Sequence, residues 1–259
     1  MKRISLTHDE LTALEAALIE FGAVVTFDQL SNFFAEDRQY SRIRIKKLAE
    51  QGWLKRIKKG VFVISDLSSR GSLSISHLAI VNILVSEAYI SFETALQHHG
   101  FFDQLHTKIN NISLKQYKAK KIDGITYKFI KTQQQYFYGW KIYDIDGQSV
   151  KIADAEKALI DMLQFHRSLY STDLVLEKLR EYQHTIENQR LVEYGLKANL
   201  TARRILGFLM DCVGLDTSDL LASVAEGQSV SSISDSENNV YNHKWKLYYD
   251  QYFERWINE

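Results

Sequence analysis

"RQYSRIRIKKLAEQGWLKRIKKGVF", residues 38–62, decides how this chain is read. From Arg38 to Lys59 it carries nine Lys and Arg residues (Arg38, Arg42, Arg44, Lys46, Lys47, Lys55, Arg56, Lys58 and Lys59) against one acid, Glu50. The whole chain of 259 residues is neutral, with 32 basic and 32 acidic side chains. Residues 1–37 hold seven acids and two bases. The positive charge is therefore a local patch and not a general property.

The stretch divides at Gly52. Before it, apolar periodicity predicts a helix over about 38–51. With Ile45 at the centre of the buried face, Ser41, Leu48 and Ala49 fall beside it. Gln39, Tyr40, Ile43, Lys46, Lys47 and Glu50 then point away, with Arg42 and Arg44 on the flanks. After Gly52, "WLKRI", "KKG" and "VFVI" read as two short strands around a glycine turn. Leu54 and Ile57 differ in parity, so the spacing admits a bulge or a shifted register.

Two helices precede this stretch. In "THDELTALEAALIEFG", Thr7 and Glu10 have capping-box spacing; Leu11, Leu14, Leu18 and Phe21 share a face, and Gly22 stops the helix. In "VTFDQLSNFF", Thr26 and Gln29 repeat the box, and Val25 and Leu30 sit as a hydrophobic staple, predicting a helix over roughly 27–34. "AEDRQ" has the length of a helix-turn-helix connection. Three helices and a basic hairpin predict a winged helix-turn-helix over 1–66. Its third helix would enter the major groove of double-stranded DNA and its hairpin would meet backbone. The basic side chains named above, with Gln39, Tyr40 and Ile43, are the expected DNA-binding set. Arginine can hold guanine through two hydrogen bonds, and Ile43 can touch a thymine methyl. The bland alternative is a solvated helix face.

"SDLSSRGSLSIS", 65–76, reads as a linker, which puts a larger domain at 67–259. "HLAIVNILV" and "YISFETALQHHG" are helical, with Ser91 as a cap, Phe92, Ala95, Leu96 and His99 on one face, and Gly100 at the end. From about 108 the pattern is strand-like, with turns at Asp123-Gly124 and Asp146-Gly147. "DAEKALIDMLQF" returns to helix with Asp154 as a cap, and 168–213 read as helical throughout. The polar stretch around 216–239 reads as partly mobile, and the aromatic-rich end as packed back. The predicted class is α+β, with a mixed larger domain and a helical end.

Composition is that of a globular protein, 45% hydrophobic and 25% charged. No run approaches the ~20 apolar residues of a membrane helix, and the start lacks a signal-peptide core. A lone cysteine, Cys212, excludes an internal disulfide and favours the cytoplasm and a core role for the thiol. Proline is absent, so turns fall to Gly, Asn, Asp and Ser. No phosphate loop, dinucleotide fingerprint, zinc spacing or nucleophile elbow occurs. A nuclease motif needs an acid two residues before Lys151, where Ser149 stands. His99 reads as a satisfied core histidine, and the acids of "YDID" as turn residues. No catalytic residue, metal or cofactor is expected, and no enzyme.

Three passages together resemble the AbiEi family of antitoxins: "LAEQGWLKRIKKGVFVI", "AYISFETALQHHGFFDQ" and "VKIADAEKALIDML". "ARRILGFLMDCVG" extends the likeness, which spans about 44 to 214. Where the family often has proline, this chain has Ala155. The resemblance implies repression of its own operon at inverted repeats. It further implies neutralisation of a nucleotidyltransferase-like toxin, without need of a stable complex. Tyr89, Ser91 and His98 are the expected antitoxic surface. The rivals are a regulator with a ligand-sensing C-terminal domain and a DNA-targeted enzyme such as a nuclease.

Overall fold

Both predicted capping boxes form, and they start the first two helices of the chain. In α1 (His8–Phe21) the Thr7 hydroxyl accepts from the Glu10 amide, while the Glu10 carboxylate accepts from the Thr7 amide. In α2 (Phe27–Phe33) Thr26 and Gln29 do the same. Each box satisfies two amides that a helix start leaves without partners. α3 (Arg38–Glu50) buries Ser41, Ile45 and Leu48, as its periodicity predicts. The computed structural model describes residues 6–34, 37–66, 72–104, 107–225, 229–233 and 238–257.

Strands β2 (Leu54–Lys58) and β3 (Val61–Ile64) follow α3, and the ladder slips between Arg56 and Lys58. This bulge is what lets both Leu54 and Ile57 face inward. A short strand that periodicity missed, β1 (Val24–Thr26), pairs antiparallel with β3, giving the order β1-β3-β2. At three residues it is too short to show alternation. Leu14, Ala17, Val25, Leu30, Ile45, Leu48, Leu54 and Ile64 close one core beneath these elements.

The chain forms two compact units, and their boundary departs from 66/67. The first comprises 1–86 with 121–126 and 144–150; the second comprises 87–120, 127–143 and 151–259. Polar contacts account for the additions to the first unit. Lys55 pairs with Asp123 at 2.9 Å, and the Asp146 carboxylate accepts from the Ser76 amide. α4 (His77–Leu84), capped by Ser76, packs on β2. Of the expected linker, 67–71 lie outside the described residues.

The main sheet joins β4 (Tyr89–Ile90), β5 (Lys108–Ser113), β6 (Lys120–Ile122), β7 (Ile125–Lys131), β8 (Trp140–Ile145) and β9 (Gln148–Ala153) in the order β6-β7-β5-β4-β9-β8. Both expected Asp-Gly turns form, with positive φ at Asp123, Gly124, Asp146 and Gly147. That is the geometry a two-residue type I′ hairpin requires. β4 pairs antiparallel with β5 and parallel with β9.

In the second unit, α5 (Phe92–His98) and α6 (Ala155–Phe165) pack together. α6 is buried from Ala155 through Gln164, far more than one apolar stripe would give. The stretch 168–213 is not one helical run. It forms α7 (Leu169–Glu181), α8 (Asn188–Lys197) and α9 (Leu200–Cys212), with Ser168 capping α7 and Asn199 capping α9. Within the polar stretch, α10 (Ser218–Val224) buries Leu220 and Val224; 226–228 and 234–237 lie outside the described residues.

The end is not simply helical. β10 (Ser231–Ser232), β11 (Asn239–Asn242) and β12 (Leu247–Asp250) form a sheet of order β10-β12-β11, followed by the short α11 (Glu254–Ile257). It packs back as expected, with Trp245, Leu247 and Phe253 fully buried. The architecture is α+β, with several sheets.

Candidate nucleic-acid interface

The bulged hairpin and α3 enclose a groove of about 690 Å³, lined by Arg38, Arg42, Lys46, Arg56 and Lys59 together with Thr26, Phe27, Asp28 and Phe62. Five of the expected DNA-binding cations thus meet on one concavity. Phe27, the first residue of α2, donates its amide to Gly60 O at 2.8 Å, tying that helix start to the hairpin turn. Gly60 has φ +73, which the turn requires and a side chain would resist.

The cations differ in how they are engaged. Arg38 pairs with Asp28 at 3.0 Å and lies over the Phe27 ring at 5.4 Å. Arg44 stacks over Phe34 at 5.4 Å and Tyr40 at 5.6 Å, on the flank away from the groove. Lys46 reaches Glu50 at 3.6 Å, both well exposed, which contributes little. Lys55 is drawn to Asp123 and only 29% exposed. Among the described residues, Arg42, Arg56, Lys58 and Lys59 enter no ion pair. Gln39, Tyr40 and Ile43 stand on the exposed face, with Ile43 60% exposed.

Lys47 departs from the expected pure outer-face role. Its ammonium lies 3.3 Å from Glu10, which is almost wholly buried. Burial pushes the Glu10 carboxyl up, but the Thr7 hydrogen bonds and Lys47 outweigh it and hold it below its ordinary 4.5. A lowered carboxyl stabilises the fold above its unfolded value and loses that contribution as pH falls. The wild-type denaturation midpoint should therefore drop as pH falls below about 4.5, with a Glu10→Gln variant showing a shallower acid limb. Parallel acid limbs in the two proteins would remove Glu10 from this account.

Tyr89 and Ser91 do not form a surface. Both are fully buried, because their hydroxyls converge on the Asp161 carboxylate, at 3.0 and 2.7 Å. Ser91 stands at the start of α5, but its hydroxyl serves Asp161 and not the helix amides. Lys157, one helical turn before Asp161, bonds the other carboxylate oxygen and is itself buried. Its ammonium also lies 4.7 Å from the centre of the Tyr138 ring. Burial pushes the Asp161 carboxyl up, while Lys157 and the two hydroxyls pull it back. Gly139 permits the arrangement: a Cβ there would stand 2.9 Å from Lys157 Cγ.

Two passages that carry the family resemblance thus share one polar cluster, a pairing that separations of 70 and 72 residues conceal from sequence. Asp154 is likewise no side-chain cap; it accepts from the Tyr194 hydroxyl and pairs with Lys141. His98 is exposed, as a surface role requires, and packs edge-on to Tyr143 at 4.6 Å. His99 is satisfied by Ala153 O at 2.8 Å.

Elsewhere in the second unit, a cavity of about 570 Å³ is lined by Arg180, Gln183, Asp211, Cys212, Asn242 and Trp256, among others. Partial burial raises the Cys212 thiol to about 11, which keeps it neutral and unreactive. Among the described residues, no cluster of three or more His, Cys, Asp or Glu side chains could hold a metal ion, and no helix is long and apolar enough to cross a membrane.

No family model and no curated protein matches the chain. Among solved structures it is similar to the crystal structure of the RV2827C protein from Mycobacterium tuberculosis. That likeness covers 95% of this chain and 92% of the other, with a TM-score of 0.67 and 14% identity. At that identity the likeness concerns the fold alone.

Proposed function

We propose that the first unit is a winged helix-turn-helix that binds double-stranded DNA, and that the protein is an AbiEi-type antitoxin repressing its own operon. The observation carrying the DNA reading is the groove between α3 and the hairpin, where Arg42, Arg56 and Lys59 converge without ion-pair partners among the described residues. The element order supports it: three helices, then a hairpin whose strand β3 also pairs with β1. Cations gathered this way attract phosphate by releasing counterions. The antitoxin part rests on the sequence resemblance, and its partner would be a nucleotidyltransferase-like toxin neutralised through residues 67–259.

The wing supplies the direct test. Lys58 and Lys59 are exposed at the hairpin turn. A Lys58→Ala, Lys59→Ala variant should weaken all duplexes alike, and its log–log salt slope should be shallower by about two units. An unchanged slope would mean that the hairpin stays clear of DNA.

One observation favours a second reading, a ligand-sensing regulator. The 570 Å³ cavity sets Arg180 and the amides of Gln183 and Asn242 around an aromatic wall. On that reading operator affinity changes with a small molecule; on the antitoxin reading, protection from the toxin needs none.

A further inference from the structure

The exposed face of α3 is chemically selective in a way its charge conceals. Helical spacing sets its three arginines off the face opposite Ile45: Arg38 and Arg42 line the hairpin groove, and Arg44 lies over the Phe34 and Tyr40 rings. Lys47 is held by Glu10. The N-terminal half of the face opposite Ile45 presents the Gln39 carboxamide, the Tyr40 ring and the Ile43 side chain, with the exposed Lys46–Glu50 pair farther along the helix.

We infer that the operator core is read at A·T pairs, by Gln39 on an adenine and Ile43 on a thymine methyl, with no arginine–guanine contact from α3. This rests on the DNA-binding reading proposed above. Adenine shows the major groove one acceptor and one donor, which a carboxamide matches with both of its ends. Guanine shows two acceptors and suits a guanidinium, which this face does not present. Ile43, 60% exposed, gains by covering its apolar surface with a methyl group. Gln39 is the second residue of α3, and N-terminal residues of a recognition helix are the ones that reach base edges. Four residues of helix rise about 6 Å. Base pairs of B-DNA stack about 3.4 Å apart, so the two contacts fall on nearby pairs of one half-site.

The experiment selects duplexes with the full chain from a pool randomised across the core, then measures the selected site. A·T pairs are expected at the core. Gln39→Ala should cost about tenfold in affinity and relax preference at one position. Replacing the contacted thymine with uracil removes only the methyl. It should weaken the wild type about threefold and leave Ile43→Ala unaffected. A G·C core whose preference is relaxed by Arg38→Ala, Arg42→Ala or Arg44→Ala, and not by Gln39→Ala, would overturn the inference while leaving DNA binding intact. Retention of no duplex at all would overturn the DNA-binding reading, and this inference with it.

Discussion

Replacing Asp161 with alanine should lower the stability of the second unit by about 3–5 kcal/mol, the scale observed when one partner of a buried ion pair is removed. The substitution strands the Lys157 ammonium, 1% exposed, together with two buried hydroxyls that lose their acceptor. The measurement is the urea midpoint of the full chain, followed by a signal from the second unit. A double variant, Asp161→Leu with Lys157→Met, removes both charges and should recover most of the loss. If the single variant unfolds at the wild-type midpoint, the cluster does not hold α5 and α6 in place.

A second large effect is expected at the groove. Arg42→Glu with Lys59→Glu should reduce DNA affinity by about a hundredfold or more at physiological salt, since two attractions to phosphate become repulsions. Both side chains are exposed, so thermal unfolding should not change. In cells, promoter repression should be lost. Protection from an independently expressed toxin should persist, because the proposed antitoxic function lies in residues 67–259. These side chains test the division of labour better than Arg44, whose guanidinium packs on Phe34 and Tyr40. Loss of protection by the folded variant, at matched protein levels, would sink that division.

Much of the first unit is legible in the sequence because its signals are local. A capping box spans four residues, and the faces of α3 follow from helical periodicity. The parity of Leu54 and Ile57 even announces the bulge. β1 escaped because a three-residue strand shows no period. At the candidate interface, residue types could be read but not their engagement. Nothing near Lys47 in sequence points to Glu10, 37 positions away, and nothing near Lys55 points to Asp123. The Tyr89–Ser91–Asp161–Lys157 cluster was hidden for the same reason. Tyr and Ser are common on surfaces, and only long-range pairing shows these two to be buried.

The all-round burial of α6 bears on how the second unit assembles. This helix packs against α5, α7, α8 and α9, so no one neighbour covers it. Each partner that arrives leaves part of it still facing water, and the paired charges of Lys157 and Asp161 cannot be desolvated favourably until all are present. The second unit should therefore complete its core in a single cooperative step. Amides in α6 should exchange with solvent only through opening of the whole second unit, and fragments that stop before α9 should leave that unit unfolded.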